Sequence, residues 1–150
     1  MSDPITRPPD WIPKEREESL CPCKSRLSYA ECCMPFHYGR TRPETAEQLM
    51  RSRYAAYFFR LVDYLVDTTH PSTREPTLKQ ELEKTIHEVN WSFLTIVDVS
   101  KGGKEDKTGK VEFVATYYLE DEPHELLAHQ LAPAGPGPAR SLATSSFASR

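Results

Sequence analysis

The chemistry available to this chain is concentrated in one short stretch. All four of its cysteines, Cys21, Cys23, Cys32 and Cys33, lie there in the pattern Cys-x-Cys, eight residues, Cys-Cys. Clustered thiols with none elsewhere read as a single metal site. Zinc takes four soft or borderline ligands in a tetrahedron, and structural sites commonly use four Cys or three Cys and a His. Pro22 fixes its own backbone and carries no amide donor, which suits a tight turn presenting Cys21 and Cys23. Cys32 and Cys33 would close the site from the far end of the loop. Ser25 can hydrogen-bond within the turn, Tyr29 can lay its ring over the site, and neighbouring amides can stabilise the thiolates. Lys24 and Arg26 offset their charge. Crossed disulfides and free core thiols are the competing readings. Bridge geometry disfavours the first, and the polar flanks disfavour the second. His37 is an alternative fourth ligand in place of Cys33.

The stretch resembles the SEC-C motif, a short zinc-binding module, and is similar to the zinc tail of the SecA translocation ATPase, which ends in Cys-His. The continuation Tyr29-Ala30-Glu31-Cys32-Cys33, then Pro35-Phe36-His37, and the block Thr45-Ala46-Glu47-Gln48-Leu49-Met50-Arg51-Ser52-Arg53-Tyr54-Ala55-Ala56-Tyr57 resemble the YchJ-like family. So do Val62-Asp63-Tyr64-Leu65 and Thr69-His70-Pro71-Ser72-Thr73-Arg74. The resemblance implies a SEC-C motif followed by an α+β domain of the nuclear transport factor 2-like type. One local departure is Lys24, where the family usually has Gly. A larger one follows His124-Glu125, where the family's third-strand pattern gives way to Leu126-Leu127-Ala128-His129-Gln130-Leu131 and a tail of Pro, Gly, Ala and Ser.

The elements that must carry the site can be read in order. Residues 1–19 hold four prolines within their first thirteen positions and end in a charge run, Lys14 to Glu18, so an extended lead is expected. The zinc module occupies 20–38, with Phe36 and Tyr38 packing it onto the domain. A basic loop, Gly39 to Pro43, follows. Thr45 and Gln48 have capping-box spacing, and an apolar face from Ala46 to Leu65 predicts one helix, or two with a bend near Arg60–Asp63. Arg51, Arg53 and Arg60 lie off that face, and structural pairing is the expected role of the first two. A second amphipathic helix is predicted near Thr77–Val89. Strands are predicted over Trp91–Val99 and Val111–Leu119, joined by a polar loop, with Val111, Phe113, Ala115 and Tyr117 on one face. Glu120–His124 should turn.

The expected fold class is α+β, a small N-terminal zinc module plus an incomplete nuclear transport factor 2-like domain in which helices pack on a short antiparallel sheet. The domain should span 44–125, with 126–150 a disordered tail; a short strand or helix over Leu126–Leu131 is the alternative. Two strands would leave an unpaired edge, so lower stability or self-association through it is expected.

Length and composition exclude other classes. One hundred and fifty residues make a one-domain chain, and a net charge of −3 makes no electrostatic case for nucleic acid. With 38% hydrophobic residues and no long apolar run, no membrane role is expected. Free thiols suit a reducing compartment, hence a cytoplasmic protein. The expected function is a protein-interaction module with structural zinc and no reaction of its own. The alternative is a small-molecule or enzymatic pocket in the larger domain, with Tyr54, Asp63 and His70 as candidates. No acid and base stand at a diagnostic spacing.

Overall fold

The structure is a computed structural model that describes residues 12–69, 75–101 and 108–133. His70, the loop tip 102–107, and the expected lead and tail at 1–11 and 134–150 lie outside the described residues. After a 3-10 turn at Lys14–Glu17, Leu20 bridges antiparallel to Ser28 around the cysteine loop. A second 3-10 turn, Tyr29–Glu31, leads to the short helix α1, Met34–His37. Pro35 sits in the first turn of α1, where a missing N–H costs nothing. Gly39, at φ 72°, lets the chain leave it.

Helix α2 spans Ala46–Phe59. Thr45 Oγ1 accepts the Gln48 N–H at 3.1 Å, and Gln48 Oε1 accepts the Glu44 N–H at 2.7 Å, so the cap predicted from spacing forms with its return bond one residue early. The bend predicted near Arg60 is a Schellman ending. Arg60 stands at φ 62°, its N–H reaches the Tyr57 carbonyl at 3.2 Å, and the Leu61 N–H reaches Ala56 at 2.8 Å. Helix α3, Val62–Asp67, starts at once. Arg53, off the apolar face by spacing, is buried all the same. One guanidinium nitrogen donates to the Leu65 carbonyl (3.0 Å) and Thr68 Oγ1 (2.6 Å), which satisfies the orphan C-terminus of α3. Helix α4, Leu78–Thr85, is shorter than predicted, and its buried residues Leu82 and Ile86 lie on the expected face.

Three strands, β1 (Asn90–Lys101), β2 (Thr108–Leu119) and β3 (Glu122–Pro133), form an antiparallel meander in that order. Leu94, Ala115 and Leu126 stand in one cross-strand row, all buried, with Val111 and Phe113 beside them. Helix α2 lies against all three strands. The helices and sheet make the α+β class expected. Phe93, Val97, Val99, Tyr118 and Leu127 are exposed on the sheet.

The third strand corrects the expected boundary at 125. The turn is two residues, Glu120 and Asp121, and β3 pairs with β2 in unbroken register from Leu119↔Glu122 to Thr108↔Pro133. Leu126, placed in an unpacked tail by composition, is 5% exposed. The segment has no β-branched residue, so strand propensity is silent there. It is pairing and burial against α2 that hold it. Pro123 and Pro133 are tolerated because β3 is an edge strand.

Both turn residues have positive φ, 49° at Glu120 and 68° at Asp121, the type I′ conformation that Asn-Gly favours. Replacing Glu120-Asp121 by Asn-Gly is therefore expected to raise the unfolding free energy by about 0.5–1 kcal/mol in urea titrations. An unchanged midpoint would mean that the hairpin carries no strain.

Candidate metal centre

The cysteine loop is built from two turns facing each other. The Cys21 N–H bonds the Leu27 carbonyl at 2.8 Å, and the Lys24 N–H returns to Cys21 at 3.2 Å. Lys24 and Arg26 sit at φ 66° and 74°. The left-handed backbone at position 24 explains why Gly suits it, and the lysine there extends to place its ammonium 5.1 Å from the centre of the Phe93 ring on β1. From the other side, the Ser28-capped 3-10 turn delivers Cys32, and Cys33 is the N-cap residue of α1.

These turns bring the four sulfurs within 4.8 Å of one another, a group that could hold a metal ion. Cys23 and Cys32 are 3.5 Å apart, Cys32 and Cys33 3.7 Å. Ligands at about 2.3 Å around a tetrahedral ion stand about 3.8 Å apart, so the spacing fits. It does not fit disulfides, whose sulfurs are bonded at about 2.0 Å; all four thiols are free. Cys21, Cys23 and Cys33 are buried, and Cys32 is half-buried. Ser25 Oγ lies 3.0 Å from Cys32 Sγ and donates to it when that sulfur is a thiolate.

Four thiols this close cannot all ionise without a cation. Hydrogen bonds among them, that from Cys21 first, hold Cys23 below the ordinary thiol range. Those to Cys21 and Cys23 push Cys33 well above it. Cys32 is pulled down to about 7, first by its hydrogen bond with Cys21. A divalent ion removes the conflict by taking the place of the shared protons.

Two anchors tie the cluster to the domain. Arg51 donates from one guanidinium nitrogen to the Cys23 carbonyl at 2.6 Å and from Nε to Glu47 at 3.0 Å. His37 is fully buried and carries a hydrogen bond on each ring nitrogen. Nε2 lies 2.7 Å from the Ser52 carbonyl, which only accepts, so Nε2 bears the proton and the Tyr29 hydroxyl donates to Nδ1 at 2.6 Å. Ser52 Oγ donates to the Leu49 carbonyl at 2.8 Å and accepts from the Tyr64 hydroxyl at 2.7 Å. His37 therefore lies outside the four-sulfur group, with both nitrogens committed. The Tyr29 ring, expected over the sulfurs, packs against Phe59 at 4.7 Å between centroids. Tyr38 is buried and Phe36 half-buried, as expected of residues that seat the module.

Two of the three pocket candidates, Asp63 and Tyr54, fall among the described residues. Asp63 is exposed and pairs with Lys79 on α4 at 3.2 Å. Tyr54 is buried with its ring 5.9 Å from Trp91. Sequence reading missed Ser52 and Tyr64 as the receiving side of the module. A small hydroxyl residue inside the apolar stretch of a long helix was the available signal.

A family model described as "YchJ, middle NTF2-like domain" matches residues 45–130. A UPF0225 protein of Actinobacillus succinogenes is 43% identical over 104 residues, which cover 69% of this chain and 67% of the relative. One from Geobacter sulfurreducens is 40% identical, and the match spans 62% of its length. One from Ralstonia nicotianae is 41% identical over 77% of each chain. Among solved structures, a SEC-C motif containing protein from Rhodopseudomonas palustris has a TM-score of 0.75 at 26% identity, covering 85% of this chain and 98% of its own. Another, from Psychrobacter arcticus, has 0.74 at 25%, covering 89% and 86%.

The buried imidazole makes stability depend on pH. Desolvation pushes His37 down to about 4 from its ordinary 6.5, against the Ser52 carbonyl, which favours the protonated ring. Between these values the unfolded chain binds a proton that the folded one refuses, so stability falls as pH drops from about 6.5 to about 4. The slope contributed is up to ~1.4 kcal/mol per pH unit. Urea unfolding over this range should show a steeper pH slope in the wild type than in His37→Gln; thiol protonation is common to both. Equal slopes would mean that His37 protonates freely in the folded state.

Proposed function

The chain belongs to the YchJ-like (UPF0225) family of SEC-C motif proteins, and we propose that it is a protein-interaction module held in shape by one structural zinc ion on Cys21, Cys23, Cys32 and Cys33. The observation that carries this reading is the convergence of four sulfurs within 4.8 Å, three of them buried. An all-sulfur donor set favours zinc over hard cations. Four protein ligands leave the ion no open position for a substrate, so its work is to fix the loop and contribute folding free energy. The dispersal of Tyr54 and Asp63, one in the core and one in a surface ion pair, supports an interaction role over a catalytic pocket. Four thiols without a bridge support a cytoplasmic location, and no helix among the described residues is long and apolar enough to cross a membrane.

Native mass spectrometry of the full chain should find one zinc per molecule. Cys23→Ser should weaken zinc binding by at least ~100-fold. Chelation should abolish partner capture while the circular dichroism of the helices and three-stranded sheet of residues 45–133 is kept. A metal-free chain with four intact thiols, or capture indifferent to chelation, would refute the reading.

A further inference from the structure

A groove of about 960 Å³ opens between the cysteine module and β1. Resting on the interaction reading above, we propose that it receives an extended acidic peptide of a partner protein, added as a strand to the free edge of β1. Three observations converge on that occupant.

The first is backbone. Among the described residues the sheet order is β1-β2-β3, which makes β1 an edge, and the groove follows it from Phe93 to Ile96. This stretch lies between two irregularities, at Trp91/Phe93 and Ile96/Asp98, and keeps regular register with β2 throughout. Bulges commonly blunt an edge against pairing. Here they bracket four regular residues and leave these free for a short partner strand.

The second is charge. Arg16, Lys24, Arg26 and Arg51 border the groove, against one acid, Glu18. Arg51 is committed to Glu47 and the Cys23 carbonyl, on the side of the buried thiols. Arg16 and Lys24 lie over the rings of Phe58 and Phe93, at 5.3 and 5.1 Å, contacts that leave their charges unneutralised. Among the described residues, Arg16, Lys24 and Arg26 form no ion pair. The groove is thus a local basic site on a chain of net charge −3.

The third is apolar surface. Leu20 on the module wall is 65% exposed, and Phe93 on the strand is 53% exposed. Main-chain pairing with the strand edge leaves the peptide's side chains free for the walls, so a peptide carrying both acidic and apolar residues can meet the cations and these two side chains. A polynucleotide would use the cations and leave both the strand edge and Leu20 unmatched.

The test uses the zinc-loaded full chain and fluorescein-labelled decapeptides of alternating valine and glutamate or of valine and lysine, with decauridylate as a third probe. The valine–glutamate peptide should bind at least about tenfold tighter than the valine–lysine one, and more weakly as salt rises. Arg16→Glu, at a groove cation outside the cysteine loop, should lower its affinity at least about fivefold with zinc content unchanged. Leu20→Glu, at an exposed site, provides an independent second variant and should also weaken binding. Amide chemical-shift changes should concentrate at 20–26 and 93–96. Equal binding of the two peptides, no binding of either, tighter binding of decauridylate at the same residues, or shifts confined to β3 would each overturn the proposal. If metal-dependent partner capture survives in the charge-reversed protein, the interaction reading stands and the groove falls. If the peptide binds but capture ignores chelation, the groove stands and the structural-metal reading falls.

Discussion

A buried imidazole with a hydrogen bond on each nitrogen joins the two halves of this molecule. His37 accepts a hydrogen bond from the Tyr29 hydroxyl at the start of the second cysteine turn and donates one to the Ser52 carbonyl inside α2, while the Ser52 hydroxyl accepts one from Tyr64 on α3. A buried polar group left unpaired costs about 1–3 kcal/mol, so none of these side chains can shift without stranding another. The cysteine module is therefore not a bead on a tether. Its position relative to α2 is set by directional bonds, and Arg51 adds another through the Cys23 carbonyl. The geometry of the four sulfurs and the width of the neighbouring groove both follow from that docking.

The same chain accepts backbone strain at points where a polar or charged side chain stands in a left-handed conformation. Lys24, Arg26, Arg60, Glu120 and Asp121 all have positive φ. Each marks an abrupt change of direction: into the metal loop, from α2 to α3, from β2 to β3. Lys24 shows what glycine would forgo, since its ammonium reaches Phe93 and links the module to the sheet edge. The strain and the contact are of similar size, about 1 kcal/mol each. Arginine at position 60 hides a helix ending that glycine would have announced. Its Schellman bonds nevertheless form in full, because the burial of Leu61 and Leu65 draws the chain round.

How much could be read without coordinates varied with how local the physics was. The cap at Thr45, the bend near Arg60 and the inward faces of β2 and α4 all follow from spacing, and the structure shows each. The third strand was legible only at its start, His124-Glu125, because Leu126 to Leu131 lacks strand-forming composition, and pairing with β2 is a property of two segments rather than one. The role of His37 was illegible for a similar reason. Its partners stand eight and fifteen residues away, on separate elements. Structural pairing of Arg53 could be expected, but its partners could not, because they lie at the C-terminus of α3, twelve and fifteen residues away.

The sequence by itself determined which groups can do chemistry and in what order the helices and strands come, because residue type and local periodicity act over a few neighbours. Only the tertiary structure decided that the four sulfurs share a space fit for one ion, that His37 serves as a joint instead of a ligand, and that a basic groove faces the free edge of β1. Each of these depends on distances between segments far apart in the chain. Such distances are set by which apolar faces bury one another and which buried polar groups find partners, and no single segment carries that information.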